Sequence, residues 1–222
     1  MNDAVVYHSE IASQWESNYT SGAFSPRFEV ILDLLANSDL RGQKWLDAGC
    51  GTGSLARFLA ERKGCSVLGV DASEGMISNC VANPNTEFAR IKDICETGLP
   101  DAAFQGVLCS SVIEYVPEPA TALRELHRAL TKDGLLLVSA PNSHPLARWP
   151  VVILYWLTKC LGRRRMFQFL DYSRHSYSES GLCRLLESCG FRAETVRTYA
   201  TWIGKKPILG HGTLVMVRAR KV

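Results

Sequence analysis

Trp45-Leu46-Asp47-Ala48-Gly49-Cys50-Gly51-Thr52-Gly53-Ser54-Leu55-Ala56-Arg57-Phe58-Leu59-Ala60 decides the fold of this chain. A short apolar strand runs into an acidic residue, three glycines follow at every second position, and an amphipathic helix begins. Glycine adopts backbone angles that other residues avoid and carries no Cβ, so a ligand can lie directly on the main chain. The following helix points free N–H groups and the positive end of its dipole at that ligand. Such a strand-to-helix turn predicts a nucleotide-type cofactor site.

Outward from this turn, strands and helices alternate. Helix Ser54–Arg62 gives way at Gly64 to the strand Ser66–Val70, which ends at Asp71. A short helix from Ser73 to Val81, with Ser73 as cap, precedes strands at Thr86–Ile91 and Gln105–Ser110. Helix Pro119–Leu130 presents Leu123, Leu126 and Leu130 on one face and is expected to stop at Gly134. Leu135–Ala140 is a continuous apolar strand of the kind buried on both faces of a parallel sheet. Helix Glu179–Cys189 ends at Gly190, and strands follow at Phe191–Thr198 and Thr213–Ala219. Upstream, residues 5–37 read as two helices separated near Thr20–Pro26, with Ile11, Trp15 and Tyr19 at helical spacing in the first. The pattern predicts an α/β fold with an open, mostly parallel sheet and helices on both faces. No internal repeat or linker interrupts it, so residues 1–222 are read as a single domain.

The composition is that of an ordinary globular chain, with 46% hydrophobic and 21% charged residues over 222 positions. A net charge of +3 gives no case for a nucleic-acid partner. Charge is uneven, however. Between Gly134 and Leu170 stand Arg148, Lys159, Arg163, Arg164 and Arg165 with no Asp or Glu. The eight cysteines are scattered without a CxxC or Cys/His cluster, which argues against disulfides and structural zinc. No signal-peptide pattern or membrane-length apolar run is evident, and a cytoplasmic setting is expected.

Two cofactors compete for the glycine turn. A dinucleotide fingerprint can be placed on Gly51-Thr52-Gly53-Ser54-Leu55-Ala56, with Asp71 twenty residues past Gly51 as a ribose ligand. That placement leaves Asp47 beside a pyrophosphate, where a carboxylate is repulsive. The longer run Asp47-x-Gly49-x-Gly51-x-Gly53 resembles the first motif of class I S-adenosylmethionine-dependent methyltransferases. The resemblance continues through Gly69-Val70-Asp71-Ala72-Ser73, Lys92-Asp93-Ile94, Val107–Pro119 and Leu130–Asn142. A sulfonium cation and an α-ammonium group tolerate Asp47, and a carboxylate at a strand end can accept both hydroxyls of a ribose.

This resemblance implies a Rossmann-like seven-stranded sheet whose last strand is antiparallel, with N-terminal helices and a helical insertion after the fifth strand as lid. It divides the chain into an N-terminal lid (1–40), a cofactor-binding core (44–142), a substrate lid (143–177) and a C-terminal helix with strands (178–222). The cofactor contacts it implies are Asp47, Gly49, Gly51, Gly53, Asp71, Ala72, Met76, Asp93, Ile94 and Ser110. The leading segment, Ile11–Trp15 with Arg27, resembles the ubiquinone-biosynthesis O-methyltransferase branch, where such an arginine helps hold the cofactor carboxylate. The alternative for Arg27 is a solvated surface position.

Methyl transfer needs alignment, exclusion of water and, for a hydroxyl acceptor, removal of a proton. The quinone branch has Glu-x-x-Glu-His, associated with a metal ion, where this chain has Ser111-x-x-Glu114-Tyr115. No metal is therefore expected. The catalytic base is unassigned, with His144 and His175 as candidates flanking the variable segment. Residues Trp149–Leu161 are too short an apolar run to cross a bilayer. They read either as a packed cap helix or, with Arg163–Arg165 through Phe167, as a lid meeting a membrane surface or a lipophilic substrate. The expected activity is methylation of a small lipophilic or aromatic acceptor, at oxygen. The alternatives are N-, C- or carboxyl-methylation and non-catalytic cofactor binding.

Overall fold

Strand β1 (Lys44–Ala48) lies near the middle of the sheet, and its alternation explains the layers around it. Leu46 and Ala48 point to one face, where they meet buried residues of β4 (Phe104–Ser110), α6 (Pro119–Ala129), β5 (Leu130–Pro141) and α8 (Glu179–Ser188). Trp45, fully buried, points to the other, against α3 (Pro26–Leu34), α4 (Ser54–Lys63) and β2 (Ser66–Asp71). A strand apolar on both sides is what a parallel sheet between two helical layers requires. The computed structural model describes residues 3–20, 24–161, 164–200 and 212–222.

The remaining elements are α1 (Asp3–Trp15), α2 (Ser17–Thr20), α5 (Glu74–Ser78), β3 (Thr86–Arg90), α7 (Pro145–Cys160), a 3-10 segment (Arg164–Asp171), β6 (Phe191–Tyr199) and β7 (Leu214–Lys221). The seven strands run in the order β3-β2-β1-β4-β5-β7-β6. The pairs β3–β2, β2–β1, β1–β4 and β4–β5 are parallel, whereas β7 is antiparallel to both β5 and β6. The expected antiparallel last strand is thus present. Chain order reverses at β1, with β2 on one side and β4 on the other. Ligands of open α/β sheets bind at the strand ends beside such a switch.

Two local expectations need correction. The helix before β5 ends at Ala129 rather than running to Gly134, because Leu130 is already extended (φ −75, ψ 142) and pairs with Phe104. The left-handed residue of that turn is Asp133 (φ 59). Gly134 serves by lack of bulk, since a Cβ there would lie 2.9 Å from both Leu130 Cδ2 and the Thr131 carbonyl. Helix α5 is likewise shorter than expected. Its cap is as read, with Ser73 Oγ accepting from the Met76 N–H at 3.1 Å, but after Ser78 the chain tightens, with the Cys80 N–H on the Ile77 carbonyl.

Candidate active site

The glycine turn forms the floor of a cleft of about 1120 Å³ at the strand ends beside β1. Gly49 and Gly51 take φ of 78 and 56, a region that costs other residues. The Gly49 and Cys50 N–H groups donate to the Val70 carbonyl at 2.7 and 3.0 Å, tying the turn to the end of β2. Asp71 closes the arrangement. Its Oδ2 accepts from the Gly51 N–H at 2.9 Å and its Oδ1 from the Ser73 N–H at 2.8 Å. Each oxygen retains a lone pair for a further donor. Burial pushes the Asp71 carboxyl up, while the Ser73 and Gly51 N–H groups and His8 pull it down. A diol donating to Asp71 would relieve the same burial.

Among the residues expected at the cofactor, Gly49, Gly51, Asp71, Ala72, Met76, Asp93, Ile94, Ser110 and Arg27 line this one cleft. Asp93 presents a carboxylate whose Oδ1 also accepts from the Cys95 N–H at 2.8 Å. Asp47 and Gly53 do not reach the wall. Asp47 is 1% exposed behind the turn, where the Ala56 N–H bonds it and burial lifts its carboxyl to about 7, with Asp71 adding to the rise. Gly53 is the left-handed cap of α4 (φ 79), and Phe88 lies where a Cβ would go, at 2.4 Å. His144 and His175 are also outside the lining. His144 is the N-cap residue of α7, and the His175 ring stacks with Tyr177.

The N-terminal helices close over the turn. Ser9 Oγ lies 2.6 Å from Ser73 Oγ, and Trp15 stands over Gly51 so closely that a Cβ there would be 3.1 Å from its Nε1. Edge-on ring contacts bring His8 against Tyr7, Trp15 and Tyr115. Glu16, absent from the sequence-derived site, binds Ser54 and Thr52 hydroxyls at 2.5 and 2.8 Å. Its only sequence signal is that it falls off the apolar Ile11–Trp15–Tyr19 spacing.

Arg27 is 6% exposed. It stacks over Phe24 at 4.2 Å and donates from Nη2 to Ser111 Oγ at 3.0 Å. Ser111 has φ 58, a strained value for a residue with a side chain, of the kind that clusters at functional sites. Its N–H is held by the Ser139 carbonyl (3.2 Å) and hydroxyl (3.1 Å). Glu114 and Arg148 also line the cleft. Glu114 was legible as a motif position, but its burial was not. Arg148 carried no signal beyond the acid-free stretch around it.

The seven-stranded sheet, in the order β3-β2-β1-β4-β5-β7-β6, agrees with the comparisons with known proteins. The methyltransferase-domain family matches residues 22–196, and the chain belongs to that family, as a class I S-adenosylmethionine-dependent methyltransferase. A ubiquinone biosynthesis O-methyltransferase of Neisseria meningitidis serogroup C is 32% identical over 149 residues, 62% of this chain and 61% of that protein. One of Aeromonas salmonicida is 27% identical over 195 residues, covering 81% and 77%. The match to the Neisseria protein thus spans less than two thirds of its length. Among solved structures, the fold resembles a methyltransferase in complex with the Haloferax volcanii Trm112 methyltransferase activator (TM-score 0.73, 15% identity, 96% of each chain). It also resembles magnesium protoporphyrin IX methyltransferase from Synechocystis PCC 6803 with bound SAH (TM-score 0.65, 19% identity, 95% and 94% covered). S-adenosylmethionine is the cofactor, and the cleft fits it: Gly49 and Gly51 leave main chain open on its floor, and Asp71, also on the wall, has acceptor capacity left.

Proposed function

We propose that this methyltransferase transfers its methyl group to a hydroxyl oxygen of a small lipophilic or aromatic acceptor. The observation that carries the reading is the placement of α7. Ala147 and Val151 line the cleft, while Trp149, Ile153, Trp156 and Leu157 on the outer surface are 67%, 55%, 58% and 54% exposed. Their spacing puts them on one stripe of the helix. An acceptor with an apolar tail would have its polar end in the cleft and its tail against Ala147 and Val151, on the side of α7 opposite this stripe. The name of the Neisseria and Aeromonas relatives supports oxygen as the receiving atom.

Bound S-adenosylmethionine supplies a methyl group activated by its sulfonium. The chain's own residues hold and shield it. Asp71 orients the ribose, the Gly49–Gly51 turn admits close approach, and α1 with Trp15 and His8 excludes water. Arg27, with a guanidinium pointed at the Ser111 strand end, is placed to pair with a carboxylate. The test is a methyl-transfer screen of alkylated phenols and catechols, fatty carboxylates and amines, with products identified by mass spectrometry. O-methyl ethers are expected, and methylation confined to amines or carboxylates counts against the reading.

A peripheral membrane contact through Trp149 to Phe167 is a second reading, favoured by the same exposed stripe together with the acid-free sequence around it. Among the described residues no helix is long and apolar enough to cross a membrane. Arg163 lies outside the described residues, as do the side chains of Arg164, Arg165, Met166 and Phe167. Flotation with anionic vesicles, and its loss in a Trp149→Gln/Trp156→Gln variant, would support this contact. Absence of flotation by the wild type would remove it.

A further inference from the structure

The cleft wall around Ser111, Glu114 and Arg148 holds a donor set unlike that of the Glu-x-x-Glu-His enzymes. Ser111 and Tyr115 replace the first Glu and the His, and Ser111 Oγ already accepts from Arg27. Glu114 remains, 2% exposed and on the cleft wall, with Oε2 lacking a hydrogen-bond partner. Its main-chain carbonyl accepts from the N–H groups of Arg174 (2.8 Å) and His175 (3.3 Å), so its position is fixed. The charged and titratable groups facing it are Arg27 from α3, Arg148 from α7, Cys109 from β4, its neighbour Tyr115, Tyr177, and Tyr199 from β6. The Arg148 side chain lines the cleft and makes no hydrogen bond or ion pair among the described residues. One carboxyl beside two guanidinium cations does not fit a divalent metal, which takes several oxygen ligands and is repelled by both arginines.

We infer that Glu114 removes the proton of the acceptor hydroxyl and that Arg148 carries the negative charge developing on its oxygen, the pair doing what a metal ion does in the related motif. This rests on the oxygen-acceptor reading above. As the acceptor O–H bond breaks, its proton passes to Glu114 Oε2. The oxygen electron pair forms the new bond to the methyl carbon, and the S–CH3 electrons stay on sulfur, giving S-adenosylhomocysteine. The proton then leaves Glu114 for solvent. Burial raises the Glu114 carboxyl to about 8, against the opposing pull of Arg27, Arg148 and the Ser111 hydroxyl. A base in that range matches a phenol near 10 better than an ordinary carboxylate does. Transfer to such a phenol therefore accelerates as pH rises through about 8.

The test compares wild type, Glu114→Gln, Glu114→Asp and Arg148→Met on two acceptors, 4-hexylcatechol and 4-nitrocatechol, the second already ionised at mildly alkaline pH. Glu114→Gln is expected to lose about 100-fold or more in kcat on hexylcatechol, to lose the alkaline rise, and to recover most of the deficit on nitrocatechol. Its calorimetric affinity for S-adenosylmethionine stays at the wild-type value, which also reports folding. Glu114→Asp retains the alkaline rise at reduced rate. With S-adenosylhomocysteine present and no turnover, the bound nitrocatecholate absorbance shift is expected to weaken in Arg148→Met. EDTA leaves the wild-type rate unchanged. Equal loss on both acceptors in Glu114→Gln with cofactor affinity intact overturns the inference, as does an EDTA-sensitive rate restored by Mg2+. Transfer by wild type to amines but to neither catechol overturns the oxygen reading itself.

Discussion

The carboxylate of Glu16 and the guanidinium of Arg57 meet at 2.9 Å, joining the N-terminal lid to the first turn of the helix behind the glycine turn. With Thr52 and Ser54 hydroxyls on the same carboxylate, one side chain holds the lid to the cofactor floor at three points. Burial raises the Glu16 carboxyl, but the Ser54 and Thr52 hydroxyls and Arg57 outweigh it and hold the group below its usual range. Partial exposure keeps the contribution modest. Glu16→Ala is expected to weaken S-adenosylmethionine binding by about tenfold, in line with about 1.4 kcal/mol for lost charge-assisted bonds. Calorimetry measures the affinity, and faster protease cleavage within α1 would report the freed lid.

Asp71 is both a predicted ribose acceptor and a brace for the turn, through the Gly51 and Ser73 N–H groups. Asp71→Asn keeps the shape and one acceptor oxygen but loses the charge. Cofactor affinity should fall by about 10- to 100-fold, at about 1.5–3 kcal/mol for a hydrogen bond to a charged group. Calorimetry with S-adenosylmethionine checks this, and an unchanged affinity would contradict the assigned role.

Gly49 has no room for a side chain. Its φ is 78, and a Cβ would sit 2.3 Å from Val112 Cγ2. Gly49→Ala should cost about 2–3 kcal/mol from backbone and overpacking together, about 5–10 °C in Tm. Adding Val112→Ala should recover the packing part but leave the backbone part, as seen by differential scanning calorimetry.

Acid stability should depend on Glu125, which Arg128 bonds most strongly and which also accepts from Thr97. These partners hold its carboxyl at about 2, below the ordinary 4.5, against burial. A folded-state value below the unfolded one stabilises above about pH 4.5, and the contribution is lost as pH falls from there towards 2. Glu125→Gln should therefore cost about 1 kcal/mol at neutral pH and show a shallower acid loss, measured by urea titration across that range.

The α7 stripe gives a different kind of prediction. Trp149→Gln/Trp156→Gln removes two exposed rings without touching the cleft, so cofactor affinity should hold. KM should stay level for both long-chain and unchained acceptors in this variant, whereas Val151→Ser, on the cleft side of the helix, should raise KM for long-chain acceptors by about tenfold, at about 0.8 kcal/mol per methylene no longer buried. Steady-state kinetics over a chain-length series separates the two.

The cofactor half of this molecule was legible because its chemistry is local in sequence. Asp71 ends a strand, Gly49–Gly53 open a helix, and the spacing brings them together by fold logic alone. Asp47 belongs to the same motif yet lies behind the turn, because alternation along β1 sends its side chain away from the cleft wall. The proposed acceptor end draws Arg27, the Ser111–Glu114 motif and Arg148 from three separate stretches, and burial, not pattern, gives them their character. His144 and His175 were candidates by residue type and position, but the ends of α7 and the neighbouring Tyr177 hold them outside the lining. Asp133 rather than Gly134 takes the left-handed turn because the pull of Leu130 into the sheet is a tertiary effect.

The most direct measurement is transfer of a methyl-labelled group from S-adenosylmethionine to 4-hexylcatechol, with the product's methylated atom located by NMR. The label is expected on a phenolic oxygen, with S-adenosylhomocysteine released in equal amount. Label found only on carbon, or on added amine or carboxylate acceptors while the catechol is left untouched, would contradict the account.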